Sequence, residues 1–241
     1  MKILNHSARF LRPVFFAALF AAVSVVAFAG ETALNYLQPG HPEVITLLAP
    51  PPLAGSVEQE TDLDTVRRAV HAATSDEVAA AFSERSFSVF NFTEPVGAFF
   101  IPANLPKTTA FFQRVQQDAR ATTEVGKNFW KRPRPFVMDP TLAAGPLERN
   151  FSYPSGHSTE TMVLALVLAD LLPEKRDALI AHARTMGWHR VQIARHYPTD
   201  IYAGRVLAQA IVRELKKSDA FEKELAGVKT EIEAVQAAAK N

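Results

Sequence analysis

The sequence predicts an all-α fold, a single-domain helical bundle. Apolar residues recur at three- to five-residue steps along several stretches, no run alternates in the manner of a strand, and no segment repeats. With 241 residues, 48% of them hydrophobic, the chain holds enough for one domain with a sizeable core and tails. The absence of cysteine excludes disulfides, thiolate metal sites, iron–sulfur clusters and a cysteine nucleophile. A balance of 26 basic against 25 acidic residues argues against a nucleic-acid partner, which calls for a strongly basic face.

Residues 1–29 read as a secretory signal peptide. Lys2, Arg9 and Arg12 form a basic start, an apolar run extends from Pro13 to Phe28, and Ala27-Phe28-Ala29 is a small-residue cleavage site. The run is short for a bilayer span, which needs about 20 apolar residues. Cleavage after Ala29 would leave a periplasmic or secreted chain with no stable membrane insertion.

Residues 30–60 are proline-rich, with Pro50-Pro51-Pro52, and are expected to form an extended arm. The helical domain is placed at 61–217. Its first helix is expected from Thr61 to about Arg85, on Val66, Val70, Ala73, Val78 and Ala81. Phe87 to Pro106, with Pro95, Gly97 and Pro102, reads as a long loop with short helical pieces. A strong helix follows from Thr108 to Trp130, closed by Pro133 and Pro135, because proline disfavours helical geometry in the residue before it. After a loop over 136–153, the very apolar stretch from His157 to Leu172 is expected to be a buried central helix. Pro173 and Pro198 each suit the first turn of a helix, predicting one helix to about Ile193 and a last core helix from Thr199 to Lys217. Residues 218–241 read as a charged helical tail of weak amphipathicity, and a homo-oligomer is left open there.

Three segments place polar residues where helices meet loops: Lys127 to Pro135, Tyr153 to His157, and His189 to Asp200. Each alone has an ordinary explanation: a solvated basic face, a turn with a helix cap, a chance His-x-x-x-Asp. In combination, Lys127-x6-Arg134-Pro135, Pro154-Ser155-Gly156-His157 and Arg190-x5-His196-x3-Asp200 resemble the three-part signature of the type 2 phosphatidic acid phosphatase and vanadium haloperoxidase superfamily. Within it the chain is most similar to bacterial class A non-specific acid phosphatases. The similarity extends to Ala49-Pro50-Pro51-Pro52, to Arg132-Pro133-Arg134-Pro135-Phe136, to Ser152-Tyr153-Pro154-Ser155-Gly156-His157 and to Ala165-Leu166-Val167-Leu168-Ala169, and covers roughly residues 45–215. One departure is visible: His189 stands where the third motif usually begins with serine.

The resemblance implies an all-α fold of that kind and a metal-independent acid phosphatase, with no cofactor, acting on a small phosphomonoester. The chemistry of the residues agrees. Phosphoryl transfer is mainly positioning and stabilisation of charge on three oxygens. Lys127, Arg134 and Arg190 offer cations, Ser155 a hydroxyl, and Gly156 a close backbone approach at a helix start. His196 is the expected nucleophile, beside the positive end of the last core helix, with Asp200 fixing its tautomer. His157 is the expected acid for the leaving alkoxide and base for the hydrolytic water. Opposite resting protonation of the two histidines, and hence activity shifted to acid pH, is expected. A lipid-phosphate phosphatase, a vanadate-dependent haloperoxidase and a non-catalytic phosphate binder remain as alternatives. Glu94, on the loop before the Thr108 helix, is expected to be a solvated acid, and His189 either a replacement donor or a structural residue.

Overall fold

The computed structural model describes residues 34–239; the signal-peptide assignment and its cleavage site at Ala29 lie outside the described residues. Helices α1 (Val44–Leu47), α2 (Val57–Ala72), α3 (Ser75–Ser83), α4 (Thr93–Val96), α5 (Pro106–Trp130), α6 (Pro135–Met138), α7 (Gly156–Leu171), α8 (Arg176–Gln192), α9 (Pro198–Leu215) and α10 (Asp219–Ala238) follow in order. The described residues contain no strand, and the fold is all-α. None of their helices is long and apolar enough to cross a membrane.

Helix α7 is the axis of the bundle. Val163, Leu164, Ala165, Val167 and Leu168 are fully buried, because α5, α8 and α9 all pack around it. A Cβ at Gly204 would lie 2.8 Å from the Ser155 carbonyl oxygen, and one at Gly126 would lie 2.7 Å from Pro154 Cδ. These two glycines let α9 and α5 close onto the segment that starts α7.

Several boundaries differ from the sequence expectation. The helix expected over 61–85 is two helices. Thr74 interrupts it as the cap of α3, with Glu77 Oε2 accepting in return from the Thr74 amide at 2.8 Å, so Thr74-Ser75-Asp76-Glu77 is a capping box. The arm over 30–60 contains α1 and the first turn of α2, which is capped by Ser56. The stretch from Pro173 opens with a 3₁₀ turn, Pro173–Lys175, before α8.

The tail differs most. Phe221, Val228 and Ile232 of α10 are buried, and the Phe221 ring packs 5.3 Å from Phe111 and 5.6 Å from Tyr36. Helix α5 begins at Pro106 without a capping side chain of its own; Glu231 from α10 accepts the amides of Lys107 and Thr108 at 3.0 and 2.8 Å. On the same helix, buried Asp118 accepts the amides of Asn35, Tyr36 and Leu37, which fastens the start of the described chain.

Candidate active site

The site forms where the start of α7 meets the loop between α8 and α9. Helix α8 closes in a left-handed Ala194, with the Arg195 amide bonded to the Arg190 carbonyl at 2.8 Å and the Ala194 amide to that of Val191 at 2.9 Å. This turn reverses the chain so that His196 stands just ahead of α9, whose first residue is Pro198. At α7, Ser155 caps the helix by accepting the Ser158 amide at 3.3 Å, while its own amide donates to the Asp200 carbonyl at 3.1 Å. The second and third motifs are thereby joined through main chain.

His196 is buried. Its Nε2 lies 3.3 Å from Arg134 Nη1, and its Nδ1 lies 3.4 Å from both Asp200 Oδ2 and Ser152 Oγ. A guanidinium can only donate, so Nε2 accepts and keeps its lone pair in this contact, and Nδ1 carries the proton. Burial first, then the charges of Arg134, Lys127 and Arg190, hold the imidazole well below its ordinary pKa. Asp200 is fully buried and accepts from the Tyr197 amide at 2.9 Å and from Arg132 Nη1 at 2.6 Å.

Five buried cations surround this pair, each 4% exposed or less: Lys127, Arg132, Arg134, Arg190 and Arg195. Three of them have carboxylate partners. Arg132 bonds Asp62 and Asp200, also donates to Gln59 at 2.7 Å, and sits 3.8 Å over the Tyr197 ring. Arg190 and Arg195 share Glu148. The other two have only neutral acceptors among the described residues. Lys127 Nζ donates to the Phe151 carbonyl at 2.6 Å, and Arg134 to Asn150 and the Arg195 carbonyl. Burial, helped by Arg134, pushes Lys127 down to about 8.

His157 is half-buried on the first turn of α7, its ring 5.0 Å from that of Phe87. Its Nε2 lies 3.1 Å from the Glu84 carbonyl oxygen. Burial, followed by Arg190, Arg134 and Lys127, pushes it down to about 3, opposed by that carbonyl. Both histidines are therefore pushed toward the neutral form in the unliganded site. This corrects the expectation of opposite resting protonation, because the same cations act on both.

Two further expectations change. Arg190 is engaged by Glu148 and by the Ala81 carbonyl at 3.4 Å, so it is not a free cation here. The start of α9 faces two carboxylates, with the Thr199 amide 3.3 Å from Asp62 Oδ1 and the Tyr197 amide on Asp200, which offset the helix's positive end. A Cβ at Gly156 would meet nothing closer than Glu160 Oε1 at 3.5 Å and Lys127 Cε at 3.9 Å, so no contact within the protein demands glycine there. Glu94 is exposed, as expected of a solvated acid. The described residues contain no group of three His, Cys, Asp or Glu able to hold a metal ion.

Asn150, Glu148, Asp62 and Glu84 enter the site without having been singled out in the sequence, and Ser152, visible beside the second motif, enters with a role the sequence did not assign. The first four lie on loops or distant helices, away from the motifs. Arg132 was visible within Arg132-Pro133-Arg134-Pro135, but nothing local shows that it turns away from Arg134 to reach Asp200.

The three motifs are thus gathered at the start of the central helix of an all-α domain. Residues 118–220 match the PAP2 superfamily model. Relatives of the chain include the non-specific acid phosphatase of Salmonella typhi, 32% identical over 147 residues, 58% of this chain and 59% of that protein. The alignment thus spans less than two thirds of that relative. The non-specific acid phosphatase of Providencia stuartii is 28% identical, with 92% of this chain and 96% of that protein covered. The acid phosphatase of Zymomonas mobilis is 26% identical, with 83% and 79% covered.

Proposed function

We propose that this protein is an exported acid phosphatase that hydrolyses a broad range of phosphate monoesters through a phosphohistidine on His196. One observation carries the reading. Lys127 and Arg134 are buried without a carboxylate partner among the described residues, and Arg134 touches the nitrogen of His196 that keeps its lone pair. Uncompensated buried cations are costly unless an anion joins them, and here the anion would meet a nucleophile.

In this reading the phosphoryl oxygens take the place of the neutral acceptors on Lys127 and Arg134. Arg190, Ser155 and the amides opening α7 at Gly156 add donors. His196 Nε2 attacks phosphorus, while Asp200 and Ser152 hold the Nδ1 proton. His157 gives a proton to the departing alkoxide, then takes one from the water that hydrolyses the phosphohistidine. The side chains supply the charge that a metal would supply, so the enzyme works without one. The similarity to acid phosphatases of three bacteria supports the same chemistry. The signal-peptide pattern read in the sequence of residues 1–29 supports export.

Hydrolysis of a chromogenic phosphomonoester by the mature chain, with and without exhaustive chelation, tests both parts. Activity is expected in both conditions. Activity lost on chelation and restored by a divalent ion would sink metal independence, and no hydrolysis of any monoester in a broad panel would sink the assignment. Label trapped from a radiolabelled substrate should be acid-labile and base-stable, and absent from His196→Ala.

A further inference from the structure

Histidine 189, standing where the resembled family usually has serine, is tied to His157 through one intermediary. Its Nδ1 lies 2.9 Å from Glu84 Oε2, and the two side chains are only 10% and 12% exposed. A carboxylate oxygen accepts, so Nδ1 of His189 carries a proton in this contact. Glu84 is the residue that closes α3, with its amide on the Ala80 carbonyl at 3.0 Å. Its own carbonyl oxygen lies 3.1 Å from His157 Nε2. A carbonyl likewise only accepts, so Nε2 of His157 holds its proton and Nδ1 is the nitrogen at which a proton can come and go. The Glu84 carbonyl also favours the imidazolium form, acting against the burial and the cations that oppose it. The Ala81 carbonyl, from the last turn of α3, faces Arg190, so two carbonyls from the negative end of this helix point at the site.

We propose that His189 and Glu84 are positioning residues for proton transfer by His157. The His189–Glu84 pair anchors the one carbonyl that sets the tautomer and orientation of the His157 ring, leaving Nδ1 to serve the leaving group. This rests on His157 being the general acid. As the bond between phosphorus and the ester oxygen breaks and the bond to His196 Nε2 forms, the Nδ1 proton of the imidazolium passes to the departing oxygen. His157 becomes neutral, with Nε2–H still on Glu84. In the second step Nδ1 takes a proton from the attacking water as the P–N bond breaks.

The test is single-turnover release of the alcohol from an alkyl phosphate and from p-nitrophenyl phosphate, whose leaving group scarcely needs a proton. The variants are His157→Ala, His189→Ala, Glu84→Ala, the double variant and His189→Asn, whose amide can donate in place of Nδ1. General acid help is worth about a hundred- to ten-thousand-fold, and loss of its positioning should cost a part of it, roughly tenfold, on the alkyl ester with a much smaller loss on the aryl ester. The double variant should lose no more than either single one, and His189→Asn should recover most of the loss.

Equal losses on both esters, additive losses, or no recovery in His189→Asn would overturn the positioning role. A His157→Ala loss that ignores the leaving group would overturn the general acid assignment itself, and the proposal with it. Thermal unfolding checks that each variant is folded. If His189→Ala is not, Glu84→Leu, which keeps much of the bulk and has no acceptor for His189 Nδ1, must show the same alkyl-selective loss, and equal losses there reject the proposal.

Discussion

Lys127 and Arg134 show how single residues report the ligand of this pocket. Each is buried and meets only neutral acceptors among the described residues. A bound oxyanion relieves that burden, and vanadate, which adopts the five-coordinate geometry of phosphoryl transfer, should bind tightly and compete with substrate. At a hundredfold excess over its dissociation constant a ligand stabilises by about 2.7 kcal/mol, so thermal unfolding should move clearly upward with vanadate. In Lys127→Met that shift should shrink sharply, while the ligand-free protein should be no less stable, since a buried cation is gone. A variant that keeps the full shift would show that Lys127 does not face the anion.

The histidines set the acid limit at this same scale. His157, pushed down to about 3, and His196, also pushed down, bind fewer protons when folded than when unfolded. Stability therefore falls as pH drops from the ordinary histidine range toward those lowered values, at up to about 1.4 kcal/mol per pH unit for each histidine. Unfolding midpoints measured from pH 7 down to pH 4 should decline, and less steeply in His157→Ala. An equal slope in that variant would mean that His157 does not titrate as described. Phosphate bound among the cations raises the His157 pKa, so ligand binding near pH 5 should take up a proton, which calorimetry in buffers of different ionisation enthalpy can read.

Among the elements, α7 matters most, because the site exists only where α5 and α9 close on its start. Gly204 stands so near Ser155 that an added Cβ would lie 2.8 Å from a backbone oxygen, which cannot swing aside as a side chain would. Gly204→Ala should cost about 1–3 kcal/mol and lower activity, because Ser155 and the Asp200 carbonyl it bonds must separate. Gly227→Ala, inside α10 with nothing within 4 Å of the added atom, is the control and should leave activity unchanged and raise stability by up to about 1 kcal/mol. Wild-type activity in Gly204→Ala would mean that the α7–α9 contact tolerates displacement. Helix α3 acts through its end: its closing residue brings a carbonyl to His157 and a carboxylate to His189.

For the molecule as a whole, α10 is part of the structural core. Its buried face covers Phe111 and Tyr36, and Glu231 closes the otherwise uncapped start of α5, the helix that carries Lys127 at its far end. Phe221→Ala should destabilise by about 3–5 kcal/mol, as for other fully buried phenylalanines, and Glu231→Ala by about 0.5–2 kcal/mol, as for a lost cap. Denaturant titration measures both. A loss below about 1 kcal/mol for Phe221→Ala would mean that α10 docks only loosely, since truncating a buried side chain exceeds that.

The helices and the motif residues were legible in the sequence because their causes are local. Apolar spacing marked α5, α7 and α9, and Pro198 marked the first turn of α9. The three motifs were visible as residue types at fixed intervals, and the structure brings His196, Asp200, Arg134 and Ser155 together as that pattern implied. The Thr74 cap and the apolar spacing of α10 were also present to be read, but a marginal periodicity decides nothing until a partner surface is known. Charge pairing belonged to the tertiary structure alone. Arg132 meets Asp62 and Asp200, Arg190 meets Glu148, and His157 meets the Glu84 carbonyl across long separations in sequence. Burial and neighbouring charge determine which cations stay unpaired and which way each histidine is pushed, and both arise only when distant segments pack.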